Sequence, residues 1–87
     1  MSLHPTKTRV ALLAAVERGD VLDLPDPDND GHTATFDLTD AEIGMPARRV
    51  NARVDEFVRE GWVRLSVDHM TWVLTAAGLD VLNEATR

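Results

Sequence analysis

The segment between Pro46 and Gly61, together with the strand-like runs after it, restricts the fold of this chain more than any other feature. Proline is tolerated in the first turn of a helix, and glycine readily adopts the left-handed conformation that ends one. Between these two residues an apolar stripe repeats at helical spacing: Ala47, Val50, Val54, Phe57 and Val58. The pattern predicts a helix over about 46–60 with one face in a core.

The residues after Gly61 predict a β-hairpin followed by a helix. Two β-rich runs, at 62–67 and 70–75, are separated by Asp68-His69. Trp62 is expected to pack the hairpin onto the body of the domain, and Thr75 to cap a final helix. The predicted core residues from this half of the chain are Val50, Val54, Phe57, Leu74, Leu79 and Leu82.

The first half of the chain predicts a helix, an acidic loop, a strand and a short helix. The apolar spacing of 6–18 indicates a helix that stops at Gly19. Prolines and aspartates indicate a solvated loop over about 23–32, followed by a short strand at 33–36. Thr39 and Glu42 fit a capping box, which predicts a short helix ending at Gly44.

These elements predict one α+β domain over residues 1–87, in the order helix, short strand, helix, recognition helix (about 46–60), hairpin wing (about 62–75) and C-terminal helix. This order is that of a winged helix. Three sequence runs carry a more specific likeness: Ala47-Arg48-Arg49-Val50-Asn51-Ala52-Arg53-Val54, Glu60-Gly61-Trp62-Val63-Arg64 and Leu74-Thr75-Ala76-Ala77-Gly78. Through them the chain resembles the MarR-like and PadR-like groups of bacterial winged-helix transcription regulators.

The resemblance implies a sequence-specific duplex-DNA-binding regulator that places the 46–60 helix in the major groove. On an ideal helix Arg48 and Ala52 project opposite the apolar stripe, with Arg49 and Arg53 on one flank. Arginine can bond guanine, Asn51 can pair with adenine, and the small Ala52 permits close approach. Arg64, at the root of the wing, suits a phosphate contact. Because one small domain makes few base contacts, a symmetric homodimer is expected, with the first and last helices contributing to its interface.

The charge distribution keeps a second function open. The net charge is −6, yet residues 19–45 contain eight acids and no lysine or arginine, so the rest of the chain carries +2. A basic face on an acidic protein is consistent with DNA binding. The alternative is a winged-helix protein-protein interaction module whose acidic 19–45 segment docks a basic protein partner. The overall charge and a wing tip without lysine or arginine favour that alternative.

Other chemistries receive less support from the sequence. Asp26, Asp28, Asp30 and Asp37 occupy positions one, three, five and twelve of a calcium-loop pattern, but a chance match is favoured in so aspartate-rich a stretch. The chain has no cysteine and its histidines are scattered, so we expect no metal, no cofactor and no enzymatic activity. Without a membrane-length apolar run or a signal-like start, a cytoplasmic protein with no membrane partner is expected.

Overall fold

Within residues 4–87, which the computed structural model describes, three helices pack with two small antiparallel sheets in an α+β fold. The helices are α1 (Lys7–Arg18), α2 (Asn51–Arg59) and α3 (Ala76–Ala85). The first sheet has the order β1 (Val21–Pro25), β2 (Thr33–Asp37) and β3 (Arg48–Arg49), and the second pairs β4 (Val63–Leu65) with β5 (Trp72–Leu74). No helix in this part of the chain combines the length and apolar character needed to cross a membrane.

The core lies where the three helices meet β1 and the β4–β5 hairpin. Leu13, Val21 and Phe57 are fully buried there, and the Phe57 and Trp62 rings lie 5.7 Å apart between centroids. Trp62 therefore packs the hairpin onto the body, as the sequence predicts. The expected core positions Val54 and Leu82 are buried, and Val50 and Leu74 pack against the core.

Three residues of the predicted apolar set are in fact exposed. Val58 and Leu79 have relative exposures of 45% and 40%, and Ala47 also lies at the surface. Ala47 precedes the helix instead of lying on its stripe, because α2 begins only at Asn51. The buried faces of α2 and α3 are narrower than the spacing of apolar residues indicates, so Val58 and Leu79 lie outside them.

The end of α2 is formed as the sequence predicts. Gly61 has φ of +74°, its N–H donates to the Val58 carbonyl at 3.0 Å, and the Trp62 N–H donates to the Phe57 carbonyl at 2.9 Å. This pair of bonds is a Schellman motif, which favours glycine at the left-handed position. The turn reverses the chain so that Trp62 folds back beside Phe57 and β4 begins.

The predicted cap at the start of α3 is also confirmed. The Thr75 hydroxyl accepts from the Gly78 N–H at 3.1 Å and donates to the Gly61 carbonyl at 2.5 Å. One side chain therefore caps α3 and ties its start to the end of α2. The hairpin between these points is closed by Asp68, whose carboxylate accepts from the Met70 and Thr71 N–H groups.

The acidic segment is more ordered than a solvated loop. The predicted strand at 33–36 is β2, but residues 21–25, part of which were expected in the loop, form β1 as its antiparallel partner. Proline is accommodated because β1 lies at the edge of its sheet and Pro25 is its last residue. At the same edge the Asp23 N–H donates to the Met70 carbonyl at 2.6 Å, and this contact links the two sheets.

The segment from 39 to 50 differs most from the sequence prediction. The capping box is not formed, because the Thr39 hydroxyl donates to Asp37 and only a single 3-10 turn, Ala41–Ile43, is present. The helix expected from Pro46 begins five residues later, since Arg48 and Arg49 pair with β2 as β3. Backbone pairing and the ion pairs of these two arginines outweigh the local preference for a helix.

Candidate nucleic-acid interface

A groove of about 840 Å³ lies between α1 and the β3–α2 segment. Its lining includes five apolar side chains of small or medium size, here called the floor, and five cationic side chains, here called the rim: Lys7, Arg18, Arg48, Arg49 and Arg53. We call this feature the cationic groove. The four predicted site residues that it brings together are Arg48, Arg49, Ala52 and Arg53.

The charge of the cationic groove is opposite in sign to that of the whole protein. Five of the nine lysines and arginines of the chain line it, but only two of the fifteen acids, Asp37 and Glu56. Since the chain carries −6 overall, cations are concentrated at this one place. Asp20, Asp26 and Asp28 bond Arg18 and Arg49 from outside the lining and reduce the local surplus of positive charge. A surplus that remains in a concave surface attracts anions even when the net charge of the protein is negative.

Lys7 and Arg18 were not among the residues that the sequence analysis selected. They reach the groove because α1 presents Lys7, Ala11, Ala14 and Arg18 toward it, four residues at spacings of four, three and four. This spacing places them on one face of the helix, with a cation at each end and alanines between. The periodicity was available in the sequence, but the face that α1 turns toward β3 and α2 depends on the packing of its buried side.

Arg48 lies on β3 and not on the open face of a helix, which corrects the sequence prediction. Its Nη2 donates to Asp37 Oδ2 at 2.9 Å, and its side chain remains 69% exposed. Asp37 is nearly fully buried, and its other oxygen accepts from the Thr39 hydroxyl and N–H. The Thr39 hydroxyl also accepts from Arg18 Nη2 at 3.1 Å. A continuous hydrogen-bonded chain thus joins Arg18 to Arg48 across the groove.

Arg49 is held by the acidic loop. Its guanidinium makes two bonds to the carboxylate of Asp26, at 2.9 and 2.5 Å, and one to Asp28 at 2.9 Å. The same guanidinium lies 5.3 Å from the centroid of the Phe36 ring, on which it stacks. The hydrogen bond from Arg49 lowers the pKa of Asp26 to about 2, and the same contact raises the pKa of Arg49. Arg49 therefore lies on β3 with its guanidinium bonded to the acidic loop, and not free on the flank of a helix as the sequence predicts.

Asn51 is also occupied inside the protein. Its Oδ1 accepts from the Thr35 N–H at 3.1 Å, and the Val50 N–H donates to the Thr35 carbonyl at 3.0 Å. These bonds join the start of α2 to β2 and occupy the Asn51 amide oxygen, which the predicted bidentate pairing with adenine would also use. Ala52, exposed beside it, still permits close approach to this end of α2.

Arg53 lines the groove, and its Nη1 lies 3.8 Å from Glu56 Oε1. Arg9 forms a second ion pair with the same carboxylate, with Nη2 2.8 Å from Oε2. Arg64 lies elsewhere, outside the lining of the groove. It is exposed on β4 between the buried Val63 and the half-buried Leu65, so strand alternation turns it outward. The six predicted site residues thus fall into a groove set and two separate residues, Asn51 and Arg64.

The four carboxylates of the calcium-loop pattern do not converge. Asp26 and Asp28 face Arg49 at one end of the β1–β2 hairpin, whereas Asp37 lies at the other end, paired with Val21. Thr33 and Asp37 are four positions apart, which is roughly 13 Å along β2. The strand therefore holds the twelfth position of the pattern away from the loop.

Asp37 gives the site a pH dependence that can be measured. Burial raises the pKa of Asp37, but the hydrogen bonds from Thr39 and Arg48 outweigh this effect and hold the pKa below its ordinary value. A carboxyl whose pKa is lowered by folding stabilises the protein above the ordinary aspartate pKa, near 4, and loses this contribution as pH falls through the folded value. We expect Asp37→Asn to cost about 1–2 kcal/mol of unfolding free energy near neutral pH.

Urea denaturation at a series of pH values measures this effect. The difference in unfolding free energy between wild type and Asp37→Asn should shrink as pH falls below about 4. Asp30→Asn is the control, because the Asp30 side chain is exposed and makes no hydrogen bond or ion pair within residues 4–87. A gap that is constant across the acid range would contradict the assignment of a charged Asp37 to the folded state.

No family model matches this chain, and neither the curated proteins nor the solved structures contain a significant match to it. The geometry and charge of the cationic groove are therefore the observations on which a function can be argued.

Proposed function

We propose that the protein binds duplex DNA as a winged-helix domain, with α2 as the recognition helix and the β4–β5 hairpin as the wing. The observation that carries this proposal is the concentration of five of nine cations against two of fifteen acids at the cationic groove. The bridge between Leu22 of β1 and Thr71 beside β5 supports it, because the strand after the first helix borders the wing hairpin. The chain departs from an ordinary winged helix at one place: it has the β2–β3 pairing and a 3-10 turn in place of a full helix.

The contacts within the protein change how DNA is bound. Arg48 and Arg49 each bond a carboxylate of the chain, and Asn51 bonds the backbone, so direct base reading by these residues is reduced. The groove cations then suit phosphate contacts, which supply affinity and orientation. Lys7 has no partner within residues 4–87 and can give its full charge to a phosphate.

A dimer remains part of the proposal. At nine residues, α2 is about 14 Å long and reads only a short stretch of one major groove. Two copies on a two-fold site double the contacts and the specificity. Sedimentation of the protein with a duplex should give a stoichiometry of two proteins per site.

Fluorescence anisotropy with mixed-sequence duplexes over a range of salt concentrations tests the proposal. Each phosphate contact contributes roughly 0.9 to the slope of log affinity against log salt. We expect Arg18→Gln and Arg48→Gln each to reduce that slope by about 1, at all duplex sequences. Arg87→Gln is the matched control, since it removes the same charge from the C-terminal residue, outside the groove.

Two outcomes contradict DNA binding. One is the absence of any salt-dependent binding to a random-sequence duplex pool at low ionic strength. The other is an equal loss of slope in Arg87→Gln and in the two groove variants, which would indicate a general charge effect in place of a site.

A specific observation also favours the interaction-module alternative. Asp28 is bound to Arg49 yet 83% exposed, and Asp30 is exposed beside it, so the tip of the β1–β2 hairpin presents carboxylates to the solvent. On this alternative Asp28→Asn with Asp30→Asn abolishes the binding of a lysine-rich peptide, and Arg48→Gln has no effect. On the DNA-binding proposal the same double variant binds duplex at least as tightly as wild type, because two anions are removed.

A further inference from the structure

The floor of the cationic groove is not explained by DNA binding. Ala11, Leu12 and Ala14 of α1 line the groove with Val50 and Ala52 of the opposite wall, and the buried Leu12 and half-buried Ala14 and Val50 make much of its less exposed lining apolar. A duplex is far wider than a groove of this volume, and its phosphates would reach only the cationic rim. A ligand that uses both the rim and the floor must be small and must itself be partly apolar.

The cations of the rim are held in place before any ligand binds. Arg18 donates to Asp20 and Thr39, Arg48 donates to the buried Asp37, and Thr39 joins the two through Asp37. A guanidinium has five N–H donors, and each of these contacts occupies only some of them. Arg48 in particular uses a single nitrogen within the described residues. The remaining donors are available to an anion without the entropy cost of ordering two long side chains.

The size of the groove fits a ligand of this kind. Its volume of about 840 Å³ lies within the range of 300–1,000 Å³ that is usual for small-molecule sites. Such sites combine an apolar lining with a few polar groups that fix the orientation of the ligand, which is the arrangement found here.

We propose that the cationic groove binds a free small organic anion with an apolar body. Its carboxylate, sulfonate or phosphate group lies between Arg18 and Arg48, and its body covers Ala11 and Ala14 on the floor. This site does not depend on the proposed function, because binding can be measured without DNA. In the DNA-bound protein the anion would compete with phosphates for Arg18 and Arg48.

The fluorescent probe 8-anilinonaphthalene-1-sulfonate tests the rim, since it joins an aromatic body to one sulfonate. We expect saturable binding of one probe per chain, weakened about tenfold by Arg18→Gln and by Arg48→Gln. Arg87→Gln should bind the probe as wild type does. The uncharged analogue N-phenyl-1-naphthylamine should bind at least tenfold more weakly than the sulfonate. Circular dichroism of each variant separates loss of the site from loss of the fold.

A second variant tests the groove without changing an arginine that contacts Asp37. Ala11→Asp places a charge on the floor at an exposed helix position, and Ala77→Asp adds the same charge at an exposed position of α3, outside the groove. Only Ala11→Asp should weaken probe binding, by about tenfold.

Displacement of the probe by butane-, hexane- and octanesulfonate tests the floor. If the alkyl chain is buried against Ala11 and Ala14, affinity should rise by up to about fourfold for each added methylene. Equal affinities for the three would overturn the proposal and leave only an inorganic-type anion site. Wild-type probe binding in Ala11→Asp and in both arginine variants would also overturn it, because the probe would then bind outside the groove. Probe binding that persists in a protein that fails to bind duplex contradicts the DNA-binding proposal alone.

Discussion

Replacing Gly78 by alanine is expected to cost the domain up to about 2 kcal/mol of unfolding free energy, even though alanine is the better helix former. A Cβ built at position 78 would lie 1.9 Å from the Trp62 carbonyl oxygen and 2.8 Å from its carbon. Both atoms are backbone, and that oxygen accepts from the Thr75 N–H at 3.0 Å, so neither can move freely. Overpacking of this kind costs about 1–3 kcal/mol and outweighs the helix-propensity gain of up to about 1 kcal/mol.

Urea denaturation followed by tryptophan fluorescence measures the loss. The matched control is Ala77→Gly, at the exposed neighbouring position of α3, where only propensity changes and at most about 1 kcal/mol is lost. An unchanged or raised stability in Gly78→Ala would show that α3 does not approach Trp62 this closely.

Phe57→Ala is expected to have the largest effect on stability, about 3–5 kcal/mol. The side chain is completely buried and its ring contacts that of Trp62, so truncation leaves a cavity between α2 and the hairpin. Since a domain of this kind is stable by only about 5–15 kcal/mol, the loss is a large share of the total.

Val58→Ala provides the comparison, because the spacing of apolar residues assigned Phe57 and Val58 to the same stripe. Val58 is 45% exposed, and its truncation should change stability by no more than about 0.5 kcal/mol. Thermal unfolding measures both variants. Similar losses of stability in Phe57→Ala and Val58→Ala would contradict the observed orientation of α2.

Some features of the fold follow from residues close together in sequence. The stop at Gly61 depends on bonds to Val58 and Phe57, and the cap of α3 depends on Thr75 and Gly78. Each of these contacts spans five residues or fewer, so the necessary information is present in one short window of sequence. The hairpin turn at Asp68 belongs to the same group, because its carboxylate bonds Met70 and Thr71.

The positions of the arginines of the candidate site do not follow from residues close to them in sequence. Pro46 and the stripe after it are compatible with a helix from residue 46, yet the partner of Arg48 lies eleven residues away and that of Arg49 twenty-three. These long-range contacts favour a strand for the two residues, and a short stretch of sequence around them does not reveal such contacts. The same reason explains why a free base-reading set was expected and an internally bonded one is present.

The amino-acid sequence alone predicted an α+β chain of helices and a hairpin, with the stops of α1 and α2, the start of α3 and the turn of the hairpin at particular residues. It also showed that residues 19–45 contain eight acids and no lysine or arginine. Only the tertiary structure decided that Lys7 and Arg18 of α1 join Arg48, Arg49 and Arg53 around one groove. Capping and turn formation use neighbours along the chain, whereas the groove exists because the buried face of α1 packs on the core and turns its other face toward β3 and α2.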